Sequence, residues 1–196
     1  MSTISLNARY AELARSSILE AALAVLHAQP VEPLSIRAVA RHAGISERTV
    51  FRHFASRDVL LDAVAEETIN RLQAPPFPET AADLLAYPRE FYARFEATEA
   101  QIKATLRSEL YDRIRTKDAE DRRISLRRLI DRLAPDRTEQ ERSIAAANIH
   151  YHVIATTWHY YRFHFGFSPE QAVACATSVV RQALLGLGVS VESAVN

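Results

Sequence analysis

Apolar residues recur at three- and four-residue steps through most of the chain, the period of helices that bury one face. Over residues 8–27 that face is Ala14, Ile18, Ala21, Ala22, Val25 and Leu26, and Gln29-Pro30-Val31-Glu32-Pro33 ends the helix. A short second helix starts from Ser35 as its N-cap and carries Ile36, Val39, Ala40 and Ala43 on one side until Gly44 breaks it. A third runs from Ser46 to about Phe54, and Ser56 caps a fourth whose inward face is Leu60, Val64, Thr68 and Leu72. Three prolines within residues 74–78 exclude a helix and mark a domain boundary, dividing the chain into 1–73 and 79–196. Beyond it the pattern predicts helices over roughly 81–97, 100–115, 118–133, 138–165 and 169–188, with Pro88 kinking the first of these or delaying its start. Thr138 with Glu141 fits a capping box, and Ser168-Pro169-Glu170-Gln171 is a second start signal with proline at the first helical position. With 4 glycines and 8 prolines, most of them between periodic segments, and few alternating β-branched runs, the chain reads as all-α with about nine helices.

Residues 35–54 hold the most informative pattern. Two short helices flank a single glycine, Gly44, which can adopt the positive φ of a tight interhelical turn. Ile36, Val39, Ala40 and Ala43, with Ile45, Val50 and Phe54, would fill the joint of this helix-turn-helix. That leaves Ser46, Glu47, Arg48, Thr49, Arg52 and His53 on or near the solvent face of the second helix, a polar, arginine-bearing face of the kind a DNA major groove accepts. Arg48 and Arg52 can fork onto guanine O6 and N7 or onto phosphate oxygens. Ser46 and Thr49 can bond a base edge or a phosphate, and Thr49 can also touch a thymine methyl. Glu47, on the same DNA-facing helix, reads first as solvent-facing, with cytosine readout as the alternative. Ser35, Arg37 and Arg57 lie on either side, placed to grip the DNA backbone.

Ile36, Val39 and Ala40 leading into Ala43-Gly44-Ile45-Ser46, then Thr49-Val50-Phe51-Arg52-His53-Phe54 and Arg57-Asp58-Val59-Leu60, closely resemble the signature of the tetracycline-repressor (TetR) family. The resemblance spans about residues 12–60. It implies an N-terminal three-helix helix-turn-helix DNA-binding domain joined to a helical C-terminal domain that binds a ligand and dimerises through its last two helices. It also implies that Ser46, Arg48, Phe51, Arg52, His53 and Arg57 lie at or near the DNA. Three positions depart from the pattern. Phe51 stands where the family often has a tyrosine that reaches a phosphate, Arg57 replaces a usual lysine while keeping the charge, and Gln29-Pro30 stands near a usual glycine.

Charge adds little to this picture. The formal net charge is zero, so bulk electrostatics do not announce a nucleic-acid partner. Residues 1–60 nevertheless hold seven arginines against five acids, a mild N-terminal excess of positive charge. One cysteine, Cys175, cannot form an internal disulfide, which suits a reducing cytosol, and its small neighbours point to a packed helix position. No apolar run approaches the ~20 residues of a membrane span, and the N-terminus lacks a signal-peptide layout, so a cytoplasmic protein is expected.

The C-terminal half offers weaker constellations. Phe91, Tyr92 and Phe95 lie on the fifth helix, and Tyr151, Ile154, Trp158, Tyr161 and Phe165 step along the eighth. They suit either ordinary core or an aromatic-lined pocket for a partly apolar or aromatic effector, with Phe91, Phe95, Tyr151, Ile154, Trp158 and Tyr161 as its lining. His150, His152, His159 and His164 crowd one helix, but no two are four residues apart, so packing is expected there and no metal site. Residues 113–132 hold eight basic against four acidic side chains, read as a solvated face with i,i+4 pairs. Val173, Thr177, Val180, Leu184 and Leu187 form the apolar stripe of the last helix, a candidate dimer interface, with a core role as the alternative.

Together these readings describe a transcriptional regulator that binds a near-palindromic double-stranded operator as a homodimer, most simply a repressor answering to a small-molecule effector. A DNA-bound adaptor whose C-terminal helices contact another protein is the alternative. No nucleophile–base pair, phosphate loop or metal triad occurs at useful spacing, so neither an enzyme nor a cofactor is expected.

Overall fold

A computed structural model of the chain describes residues 6–191. Among them ten α-helices follow one another: α1 Leu6–Ala28, α2 Ile36–Ala43, α3 Glu47–His53, α4 Arg57–Leu72, α5 Ala81–Ala97, α6 Glu99–Leu106, α7 Leu110–Leu133, α8 Glu139–His152, α9 Ala155–His159 and α10 Pro169–Gly186. A π-helical turn, Tyr160–His164, follows α9. The fold is all-α, as its periodicity implies. Two compact units emerge. One takes the chain through Arg71 together with Lys103–Arg115, and the other takes Leu72–Ile102 and the chain from Thr116 onward.

Side-chain caps explain many of the helix starts. Ser35, Ser46, Thr80, Thr138 and Ser168 each accept a hydrogen bond from the backbone N–H three residues on, so each supplies a partner for a donor the helix cannot satisfy itself. At Thr138 and Ser168 the N3 residues Glu141 and Gln171 reach back and close the boxes.

The first unit buries Ile18, Ala22 and Leu26 of α1 against Val39 of α2, Val50 of α3, Phe54, and Leu60 and Val64 of α4. Leu110 of α7 is only 2 % exposed and belongs to this same cluster, with Ile114 packed on it. In the second unit α10 packs against α5 and α8. Rings of α5 and α9 continue one another there, with centroids 5.3 Å apart for Tyr87–Phe91, 4.5 Å for Phe91–Phe95 and 5.6 Å for Phe95–Trp158.

Two segments differ from the sequence-based expectation, while α5 spans the expected Ala81–Ala97 and Pro88 does not delay its start. Pro88 lies inside α5 without ending it. The proline forfeits one backbone hydrogen bond, while Leu84, Tyr87, Phe91, Tyr92 and Phe95 on the same helix are buried around it. The expected break near residue 117 is helical, and the chain turns instead at Arg107–Glu109. There the Ser108 hydroxyl donates to the Thr105 carbonyl at 3.0 Å and accepts from the Leu110 N–H at 3.2 Å, ending one helix and starting the next without glycine or proline. Finally, the long helix expected over 138–165 is broken at Val153 and Ile154, where Ile154 is extended (φ −98, ψ 161). Side chains take up carbonyls near the break: Tyr92 donates to His152 O at 2.6 Å and Thr157 to Tyr151 O at 2.5 Å.

Candidate nucleic-acid interface

The geometry of the α2–α3 turn follows from Gly44, which has φ 67 and ψ 29, in the left-handed region open to glycine. The Ile45 N–H reaches Ala40 O at 3.0 Å and the Gly44 N–H reaches Arg41 O at 3.3 Å, the double closure of a Schellman motif. Ser46 then starts α3 at once. Its Oγ accepts from the Thr49 N–H at 3.2 Å and shares a hydrogen bond with the Thr49 hydroxyl at 2.9 Å. Val50 and Phe54, both fully buried, fasten the inner side of α3.

The outer side of α3 presents Glu47, Arg48, Phe51 and Arg52, all exposed, while Thr49 and His53 are half-buried. Phe51 keeps 46 % of its surface accessible, on the same face of α3 as Arg48 and Arg52. Ser35 and Arg37 are exposed at the start of α2, where the Ser35 Oγ accepts from the Ala38 N–H at 3.0 Å. Among the described residues, Arg37, Arg48 and Arg52 enter no ion pair, so their guanidinium groups are presented to solvent. Arg57 differs. Its Nε donates to Leu34 O at 2.6 Å, and its Nη2 sits 2.5 and 2.6 Å from the two carboxylate oxygens of Glu109. Glu109 lies 52 residues along the chain from Arg57, and no local pattern points to it.

The residues expected to line an effector pocket do not share one site. Phe91 and Ile154 line a small cavity in the second unit together with Phe77, Leu84, Tyr87, Arg122, Leu126, Ile149, His150 and Val153. Its volume is about 20 Å³, room for roughly one water. Phe95 and Trp158 are buried in the ring stack beside it, Tyr161 is half-buried, and Tyr151 is 58 % exposed. Tyr87 was legible in principle, standing four residues before Phe91 as Phe91 stands before Phe95. Arg122 was not, since it is one of many arginines on α7. In the cavity wall its Nη1 donates to the Tyr87 hydroxyl at 2.5 Å and its guanidinium lies 4.6 Å from the Phe91 ring centre.

Near the ring stack, Glu96 accepts from Trp158 Nε1 at 2.7 Å and from Arg162 Nε at 2.6 Å. That hydrogen bond to Glu96 is the largest reason the Arg162 guanidinium holds its proton more tightly than usual. Burial pushes the Tyr92 hydroxyl well above the ordinary tyrosine value, so it stays a donor to His152 O.

The expected dimer stripe needs correction. Val180 and Leu184 are fully buried and Leu187 is 5 % exposed, all within a single protomer, because this face of α10 packs into its own unit. A side chain with no accessible surface cannot offer area to a second copy. Val173 and Thr177 are half-buried at the edge of that face. The opposite side of α10 exposes Ala174, Ser178, Arg181, Gln182 and Leu185. Among the described residues, no group of three or more His, Cys, Asp or Glu is placed to hold a metal, and no helix is long and apolar enough to cross a membrane.

Residues 18–64 match the family described as bacterial regulatory proteins, tetR family. No curated protein matches the chain in sequence. In structure the chain is similar to a TetR-like transcriptional regulator from Rhodococcus sp. RHA1, with a TM-score of 0.63 and 17 % identity over 88 % of this chain and 96 % of that one. A second transcriptional regulator from Rhodococcus sp. Rha1 gives a TM-score of 0.59 and 19 % identity over the same shares of the two chains. At these identities the two likenesses speak for the fold.

Proposed function

We propose that this chain, a member of the tetR family of bacterial regulatory proteins and a DNA-binding transcriptional regulator, is a repressor that binds a near-palindromic operator as a homodimer and releases it when a small molecule binds. The observation that carries the reading is the outer face of α3, where Arg48 and Arg52 stand unpaired beside an exposed Phe51. Arg48 and Arg52 read base edges or phosphates, Thr49 and Phe51 make van der Waals contact with thymine methyls, and Ser35, Arg37 and Ser46 engage the backbone.

One such helix covers few base pairs, and two-fold pairing multiplies the selection. The surface for a second copy is sought on the exposed sides of α8 and α10, where Ile144 keeps 54 % and Leu185 53 % of its area accessible. An effector of partly aromatic character would enter beside Phe91 and Ile154 by enlarging the small cavity there. It would act by moving the two α3 helices off the ~34–36 Å spacing of successive grooves.

The test is selection of duplexes from a random pool by the full-length protein, followed by footprinting. A palindromic motif is expected, protected on two half-sites about one helical turn apart. Recovery of no common sequence would end the reading.

The small cavity and the closely packed rings favour a second reading, in which the C-terminal helices contact another protein and no effector exists. The exposed rings of Tyr160, Phe163 and Phe165 would then form the contact surface.

A further inference from the structure

Leu34 is buried, 1 % exposed, and lies just before the cap of α2, where its backbone groups fall outside any helix. Its N–H donates to Glu109 Oε1 at 2.7 Å, and its carbonyl accepts from Arg57 Nε at 2.6 Å. Glu109 and Arg57 bind each other through Arg57 Nη2 and both carboxylate oxygens. Three residues from three segments thus close a ring: the loop entering α2, the first residue of α4, and the corner between α6 and α7.

We infer that Glu109, far outside the helix-turn-helix, is a positioning residue of the DNA-reading head. The inference rests on the assignment of α3 as the reading helix. Leu34 immediately precedes Ser35, and Arg57 follows Phe54 by three residues, so the ring holds the α2–α3 pair at both its entry and its exit. The corner that carries Glu109 is itself anchored. Leu110 is part of the first unit's core, and Arg113 reaches Asp62 at 2.7 Å and Asp58 at 2.5 Å on α4. In Glu109→Gln the one remaining oxygen can still accept from Leu34 N–H, but the amide NH2 then faces the Arg57 guanidinium, donor against donor and without a counter-charge, which loosens the loop rather than the core. A loosened head keeps its arginines and so keeps non-specific attraction to DNA. It loses the fixed register that base reading requires.

The opposite arrangement makes a different forecast. If Glu109 merely withheld Arg57 from a phosphate, removing its charge would free a cation and tighten DNA binding. Glu109→Gln in the full-length protein separates the two. Its binding is measured on a duplex enriched by the wild-type protein and on a duplex of unrelated sequence, with amide exchange at Leu34 followed in parallel. Expected are about tenfold weaker binding to the enriched duplex, as for loss of a hydrogen bond to a charged group, little change on the unrelated duplex, and faster exchange at Leu34.

Equal or tighter binding to the enriched duplex overturns the inference. So does equal weakening on both duplexes with a lowered melting temperature, which marks a general structural role. If Glu109→Gln fails to fold, Arg57→Lys replaces it, because a lysine keeps the charge but cannot span Leu34 O and the carboxylate together. The same split between duplexes is then expected, and its absence counts against the inference. A wild-type protein that enriches no sequence removes the reading-helix assignment and this inference together, an outcome distinct from a wild type that enriches a sequence and a variant that binds it unchanged.

Discussion

The guanidinium of Arg15 lies 4.4 Å from the centre of the Phe54 ring, and its Nη1 donates to the carbonyl of His53 at 3.4 Å. A residue of α1 therefore covers the end of α3, where a buried ring and a terminal carbonyl both need a partner. Cation over ring and N–H to carbonyl act on one side chain, so the contact holds orientation as well as energy. Arg15→Met, which keeps much of the stem, is expected to destabilise the protein by about 1 kcal/mol. Urea unfolding followed by circular dichroism measures it, and an unchanged midpoint would show the contact to be idle.

Gly44→Ala tests the turn. Open space surrounds the position, so no clash is introduced and only the φ of 67 opposes a side chain. The expected loss is about 1–2 kcal/mol, the cost of a left-handed L-residue. Gly44→Asn should lose less, because asparagine tolerates that region. Equal losses for the two would point away from backbone strain.

Ser46→Ala removes the acceptor for the Thr49 N–H and should cost about 1 kcal/mol, with fraying of the first turn of α3. Hydrogen exchange at Thr49 reports it directly. Ser46→Asp, which restores an acceptor, is expected to return that protection but to weaken DNA binding by placing a carboxylate near phosphate.

Arg48→Ala and Arg52→Ala should each weaken binding to the enriched duplex while leaving the melting temperature within the small range usual for exposed substitutions. Salt dependence sorts their roles. Loss of a phosphate contact lowers the slope of log affinity against log salt by about one, whereas loss of a base contact costs about 1–3 kcal/mol and relaxes selection at one base pair. A footprint that both substitutions leave unchanged would remove α3 as the reading helix.

Glu96→Ala strips an acceptor from both Trp158 Nε1 and Arg162 Nε in a partly buried site. A loss of about 2–3 kcal/mol is expected, below that of a fully buried pair because the Arg162 and Glu96 side chains keep some access to water. The chain has a single tryptophan, so its emission is a direct probe and should shift when the indole N–H loses this partner. Unaltered emission together with unaltered stability would show that water replaces Glu96 at no cost.

Much of the architecture is set by local physical chemistry that a sequence displays. The cap at Ser35, the left-handed turn at Gly44, the cap at Ser46 and the inward Val50 and Phe54 depend on hydrogen bonds and backbone angles within a few residues, so type and spacing suffice to place them. The exposed face of α3 follows from helical period alone. What the tertiary structure decided rests on partners distant in sequence. Arg57 looks like a surface arginine until Glu109 and the Leu34 carbonyl are brought to it. The break at Val153 is tolerated because Tyr92, from another helix, takes up a nearby carbonyl. The stripe of Val180, Leu184 and Leu187 has the same period whether it faces its own core or a second copy, and only folding shows that it turns inward.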